Sequence, residues 1–539
     1  MTHHQTDLWK LGALLFAGAI AIWLLFLLAS PPRFPGGDVT CFKDPGVNLA
    51  QGRGLVEVIT PANPTLVPKF YSNYPPLFPA VYGAYVSIFG IGAKADSIFD
   101  FVLSAAASVA FWFSVTPRHA APGRRSLGLI LLGILVLMLP VGPFWTQRER
   151  PDAMGFITMM ASLWALRDGL TPKRVALSAF IAGLGSLISP FTFAMNGLAL
   201  AIIILIEGEP LQSLRHPLKG RARLVAAAAA GVTLPFGSLF LIQWLNDPDS
   251  IARFVANATG KSTSGRAGTG YLANLLAGDL GTYFGAFRRF DSFRYKWMLA
   301  HLIAVAAFTT FHLLRHHVTI RSPQSWMRPA GVLILAGVPL IVFPYQPCYM
   351  SLTAAMVLVL FVLLTPLDGK PGARQGGWVA TAGVGFLALV AVPFMIREFV
   401  AAFQARDSYR TAVAAIQRIQ VETPDRIPVV ATNAPFYFLF KQPGFEAVEV
   451  AYLTRPEDIA ATDLFAFNTG GEASYQFPTW WEADRMELVH HVGKIPDLVV
   501  FGITIPDISL FGINIYRSRA TWEADIYRFK RLPTGLPGR

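Results

Sequence analysis

Apolar positions in this chain come in long uninterrupted runs, not in the alternation of an amphipathic soluble fold. Crossing a hydrocarbon core of about 30 Å takes about 20 apolar residues in a helix. Runs of roughly that kind lie at 9–30, 96–116, 127–145, 153–167, 174–189, 191–206, 224–244, 297–314, 329–344, 349–364 and 378–396. The first is longer than the apolar core of a signal peptide and only Lys10 precedes it as a basic residue, so it reads as a retained helix. After about residue 397 the pattern changes. Strand-like runs at Ile427–Thr432, Leu464–Asn468 and Leu498–Ile503 alternate with helix-like stretches at Ser408–Val421 and Trp480–Val492. That alternation predicts a small α/β domain.

One apolar segment decides the topology. Tyr74-Pro75-Pro76-Leu77-Phe78-Pro79 through Phe89-Gly90 spans about 17 residues, with three prolines at its start. Proline is tolerated there, but the length is marginal for crossing a bilayer. If the segment crosses, most of the later basic loops face outward. If it lies in the interface, the short segments holding Lys10, Arg118/Arg124/Arg125, Arg167/Lys173/Arg174, Arg215/Lys219/Arg221/Arg223, Arg315/Arg321/Arg328 and Lys370/Arg374 share one side. The short opposite loops near Ser189 and Tyr345–Met350 then hold no basic residue. Basic residues gather in cytoplasmic loops, which selects the second arrangement. The expected fold is therefore an α-helical polytopic membrane protein of about 11 spanning helices over residues 1–396. Its outer loops are 31–95, 140–152 and 245–295, and an extracytoplasmic α/β domain follows over 397–539.

Composition agrees with this. Hydrophobic residues make up 53% of the 539 and charged residues only 14%, against a usual quarter charged in soluble chains. The net charge of +12 is dispersed in short clusters between apolar runs, which argues for membrane sidedness and against a nucleic-acid partner. Two cysteines, Cys41 and Cys348, exclude a disulfide framework. No Gly-rich phosphate motif sits on a strand–helix turn, so no nucleotide is expected as a cofactor. Arginine outnumbers lysine 33 to 12, in keeping with a GC-rich bacterial genome and an inner-membrane protein working on the periplasmic side.

The chemistry-bearing residues collect in the outer loops. Asp38 follows Pro-Pro and Gly36-Gly37 just after the first helix, and a short helix-like piece over Asp44–Gln51 ends at Gly52-Arg53-Gly54. The loop before the fourth span reads Gln147-Arg148-Glu149-Arg150-Pro151-Asp152. Charges this close to hydrocarbon are paired or functional. Asp96 and Asp100 stand one turn apart with Lys94 beside them. Such a pair can share a metal or proton, but interface hydrogen bonding to loops or water is the commoner arrangement. His301 and His312 read as packed residues, and His490-His491, placed on a helix, would point to different faces. Phe477-Pro478-Thr479-Trp480-Trp481 offers either a sugar-stacking platform or a surface that docks the domain.

An aspartate shortly after the first helix, a short helix ending Gly-x-Gly, Tyr-Pro-Pro-Leu leading to Phe-Gly, and Arg150-Pro151-Asp152 opening a helix resemble the GT-C membrane glycosyltransferases. The nearest likeness is to the protein O-mannosyltransferase and aminoarabinose transferase superfamily. The resemblance covers about residues 9–170. It implies transfer of a sugar from a polyprenyl-phosphate donor to a lipid, glycan or protein acceptor among membrane lipids, with Asp38 as general base. Asp152 would be a second acid that orients acceptor or base, or helps hold a divalent cation such as Mg or Mn. Arg148, Arg150 and Lys69 are the phosphate candidates. Relatives often carry a basic residue where this chain has Tyr74, so Lys69 or Arg53 would substitute. Where relatives carry Arg-Tyr late in the chain, this one has Tyr345-Gln346, leaving Tyr345 to hydrogen-bond a ligand or to anchor at the interface. Arg288 and Arg289 suit either a pyrophosphate or anionic lipid. The rival reading, a flippase or transporter of lipid-linked sugars, predicts charges at mid-membrane and related halves, and neither is evident.

Overall fold

The computed structural model describes residues 42–56, 70–71, 74–115, 150–166, 169–207 and 217–252, isolated helical positions within 17–24 and 330–334, and parts of the chain between 414 and 529. The runs at 127–145, 297–314, 349–364 and 378–396 lie outside the described residues.

Seven helices are described in the N-terminal part: α1 Asp44–Ala50, α2 Leu77–Phe89, α3 Ala93–Val115, α4 Asp152–Leu166, α5 Pro172–Leu184, α6 Pro190–Glu207 and α7 Pro217–Asn246. Their boundaries follow from local chemistry. Pro45 opens α1 where a missing N–H costs nothing, and Asp44 faces the positive end of the helix. Gly52 and Gly54, both with positive φ, turn the chain after it. Thr171 caps α5 by accepting from the Arg174 amide at 3.4 Å. α5 ends in a 3-10 turn over Gly185–Leu187, which leads to α6.

Two described helices, within Lys94–Ser114 and Arg221–Asn246, are long and apolar enough to cross a membrane. The outer flank of α7 is apolar and exposed at Val225, Leu234, Leu241, Trp244 and Leu245, the surface a lipid-facing helix presents. Inward, small and hydroxyl residues bring the helices close, as membrane packing favours. The Ser162 hydroxyl donates to the Ser178 carbonyl at 3.0 Å and meets its hydroxyl at 2.8 Å, joining α4 to α5. Ser114 donates to the Met160 carbonyl at 2.6 Å, joining α3 to α4. At Gly231 of α7 a Cβ would overlap the Ala176 carbonyl of α5.

These contacts sort the helix ends. Lys43, before α2, pairs with Asp96 and Asp100, after it. A segment whose two flanks touch has not crossed between them. With 13 residues, α2 is about 20 Å long, short of the hydrocarbon thickness. The starts of α3, α4 and α6 gather at this end: Phe42 meets Arg150, and Gly155 lies against Thr192. The end of α7 joins them, Gln243 donating to the Tyr71 carbonyl at 3.4 Å. At the opposite end Arg221 reaches the Leu205 carbonyl at 3.4 Å. Among the described residues, both flanks of α2 thus lie at one end and the start of α7 at the other.

After residue 397 the described chain holds helical positions at Ala414, Ala415, Gln417 and Arg418, within the expected helix-like stretch. It also holds a five-stranded sheet in the order β2-β1-β3-β9-β4. Strands β1 Val429–Thr432, β2 Glu446–Glu449 and β3 Leu464–Asn468 are parallel; β4 Met486–Val492 and β9 Ala524–Phe529 pair antiparallel. Two expectations are corrected. The end of the stretch Trp480–Val492 is strand, not helix, because pairing with β9 along Met486–Val492 supplies its backbone partners. Leu498–Ile503 is not one strand but a hairpin of β5 Val499–Val500 and β6 Ile503–Thr504, turned by Gly502 at φ +79°. Further hairpin strands are β7 Ile508–Leu510 and β8 Ile513–Tyr516.

Gly231→Ala should cost about 1–3 kcal/mol by overpacking, lowering the melting temperature in detergent, whereas Gly237→Ala, with nothing within 4 Å, should not. Sidedness is checked in a Cys41→Ser/Cys348→Ser background. A cysteine at exposed Arg53 should react with an impermeant maleimide from the outer side only, and one at exposed Lys173 only after permeabilisation.

Candidate active site

The first outer loop and the loop before α4 meet at one end of the bundle. Arg150 and Asp152 are both buried, and the Arg150 Nε lies 3.3 Å from Asp152 Oδ2. The guanidinium sits over the Phe42 ring, 5.1 Å from its centroid. Phe42 in turn meets Tyr74 edge-on at 4.6 Å between centroids. An arginine held by a carboxylate at its edge and an aromatic face beneath is an oriented cation in a poorly hydrated place. There its attraction for a phosphate is far stronger than in water.

Beside this lies a cluster that the sequence reading missed. The Lys43 ammonium, with no solvent exposure, donates to Asp96 Oδ1 at 2.5 Å and to Asp100 Oδ1 at 2.8 Å. It also lies 5.3 Å from the Tyr82 ring centroid and 5.8 Å from that of Phe99. Asp96 and Asp100 begin a polar stripe on α3 that continues through Ser104 and Ser108, each hydroxyl bonded one turn back. All four are buried, as lipid requires of polar groups on a spanning helix. Burial by itself would lower the Lys43 pKa, but the charges of Asp100 and Asp96 and their hydrogen bonds outweigh it, so the ammonium is held above its ordinary value. This refines the expectation for Asp96 and Asp100. They bond a lysine more than 50 positions away, from the loop that precedes α1, and the adjacent Lys94 is exposed.

Next in the chain, buried Asp44 accepts from Asn48 Nδ2 at 3.1 Å, and the same amide nitrogen reaches the Val56 carbonyl at 3.3 Å. Asp44 was visible in the sequence only as a helix-starting residue. Nothing local distinguished Lys43-Asp44 from a solvated pair, because the partners lie on another helix.

Of the expected site residues, Asp152, Arg150 and Tyr74 are brought together. Arg53 is exposed beyond the far end of α1. Asp38, Lys69, Arg148, Tyr345 and Arg288 lie outside the described residues, as do Cys41 and Cys348. Among the described residues no group of three His, Cys, Asp or Glu converges as a metal ligand set. Asp96 and Asp100, a carboxylate pair one turn apart on α3, hold the Lys43 ammonium between them. His490 and His491 lie on β4, not on a helix, and His491 Nδ1 is 2.5 Å from Asp525 Oδ1.

No family model matches the sequence, and no curated protein matches it. Among solved structures the chain is similar to crystal structures of ArnT from Cupriavidus metallidurans, in the apo state and bound to undecaprenyl phosphate. Identity is 12% in both cases, with 85% of this chain covered. The matches cover 92% and 93% of the ArnT chains, at TM-scores of 0.48 and 0.49 respectively.

Lys43→Met would leave two buried carboxylates without their cation. Loss of one partner of a buried pair costs about 3–5 kcal/mol, so the variant should melt well below wild type in detergent. Because the folded-state pKa of Lys43 is raised, its contribution is fully present at neutral pH. That contribution is lost only as pH rises past the ordinary lysine value near 10.5 towards the folded one. Wild-type stability should therefore show no step from Lys43 between pH 6 and 9.

Proposed function

We propose that this protein is an integral-membrane glycosyltransferase. It moves a sugar from a polyprenyl-phosphate donor to a lipid, glycan or protein acceptor at the outer face of the membrane, the periplasmic face of a bacterial inner membrane. The observation that carries this is the meeting of Phe42 and Tyr74, from the first outer loop, with the Arg150–Asp152 ion pair at one end of the bundle. A lipid-linked donor presents its phosphate and sugar at headgroup depth, and this is where a buried cation and carboxylate are held side by side.

In this reading Asp38 is the general base. It stands four residues before Phe42, so the chain keeps its Cα within about 15 Å of that of Phe42. The acceptor hydroxyl gives its proton to the carboxylate as its oxygen bonds the anomeric carbon. The bond from that carbon to the phosphate oxygen breaks, and its electron pair leaves with the polyprenyl phosphate. Arg150, with Arg148 and Lys69, stabilises the charge on the leaving phosphate through charge-assisted hydrogen bonds. Asp152 holds Arg150 in place and orients the acceptor or the base. A single in-line displacement inverts the anomeric centre. The buried charges at Lys43, Asp96, Asp100, Arg150 and Asp152 favour surface chemistry over transport, since they cluster towards one end of the described helices, whereas a transporter would carry charges at mid-membrane.

The test is sugar transfer in membranes carrying labelled lipid-linked donors, with mass spectrometry of co-purifying lipid to name the donor. Asp38→Asn and Asp152→Asn should each slow transfer by about 10²-fold or more while the purified proteins still bind undecaprenyl phosphate. Normal turnover in a well-folded Asp38→Asn protein would remove Asp38 as the base.

A further inference from the structure

We infer that Lys43, through its bonds to Asp96 and Asp100, is the positioning residue that docks α1 and so sets where the first outer loop meets Arg150. This deepens the transferase reading and rests on it only for the catalytic consequence; the docking of α1 stands by itself.

α1 has seven residues. A helix of two turns has almost no stability alone, because nucleation costs more than so few hydrogen bonds return. Its orientation must come from tertiary contacts, and three are present. On one flank Gly46 crosses Gly83 of α2 so closely that a Cβ at Gly83 would stand 2.7 Å from the Gly46 carbonyl oxygen, while a Cβ at Gly46 would overlap the Pro79 carbonyl. Backbone touching backbone sets the distance but offers little to resist sliding or rotation. The second contact is Lys43, whose ammonium is held at two points by carboxylates one turn apart on α3. Two fixed acceptors on a rigid helix define a direction, and ion bonds at 2.5 and 2.8 Å tolerate little drift.

The third contact is the consequence. Phe42 is the residue immediately before Lys43, and its ring is the surface on which the Arg150 guanidinium lies. Held between Arg150 and Tyr74, Phe42 cannot keep its place if Lys43 leaves α3. The cluster thus ties the register of α1 to the placement of the cation assigned to the donor phosphate. Lys43 touches none of the reacting groups, and its effect runs through Phe42.

Charge removal separates positioning from stability. Lys43→Met alone strands two carboxylates and is expected to unfold easily. Lys43→Met/Asp96→Asn/Asp100→Asn removes all three charges of this cluster together, and neutral replacement of a buried ionic cluster commonly restores stability. The triple variant is compared with wild type in dodecyl maltoside by thermal melting, by hydrogen exchange of the peptide covering residues 42–56, and by sugar transfer. The expected result is a melting temperature near wild type, exchange in 42–56 at least tenfold faster, and kcat reduced at least tenfold. The KM for donor should change further in Phe42→Leu, where the guanidinium loses its platform but α1 stays docked. Exchange in 42–56 equal to wild type in the triple variant would overturn the proposal. If that exchange is faster while wild type transfers no sugar, the docking role stands and the transferase reading fails.

Discussion

A lysine ammonium sealed from water survives only if something repays its lost hydration, and here two carboxylates on the first turns of a spanning helix do so. The cost is high enough that these three groups have essentially one acceptable arrangement. Everything near them inherits that restriction. α1 is held to α3, the crossing of Gly46 with Gly83 places α2 alongside, and Tyr82 and Phe99 close over the ammonium edge to face, 5.0 Å apart. The same pairing shows that the chain returns to its starting end after α2, so one ion cluster sets a local geometry and gathers both flanks of α2 at one end of the bundle.

Lipid imposes the complementary constraint. Outward faces must be apolar, and α7 meets this with leucine, valine and tryptophan while turning Gly231 towards α5. Polar groups must find partners inside, and the serines of α3, α4 and α5 do so by bonding carbonyls of their own or neighbouring helices. Such contacts bring helices close but carry no charge. The buried charges stand apart from them, at the end where the outer loops converge.

Arg150 and Asp152 form a second buried ion pair at this end of the bundle. With Phe42 beneath and Asp152 alongside, the guanidinium is held in one orientation by its own neighbours. Neutralisation by Asp152 keeps an unliganded arginine tolerable in a buried site.

The sequence by itself determined the quantities that depend on local composition. Hydropathy located α3, α4 and α6 to within a few residues, because lipid solvates a helix whatever its neighbours. The shortness of the segment ending at Phe89 and the distribution of basic loops already argued against crossing, and Gly-x-Gly marked the end of α1. Asp152 and Arg150 stood out because charges beside an apolar run are rare. Tertiary structure alone decided the partners. Lys94 beside Asp96 was the obvious cation, yet helix geometry turns it outward, and Lys43 arrives from another loop. Met486–Val492 reads as part of a helix from its sequence, yet β9 supplies hydrogen-bond partners along it and makes it a strand. Burial, pairing and register are properties of two segments at once, and no pattern within either one contains them.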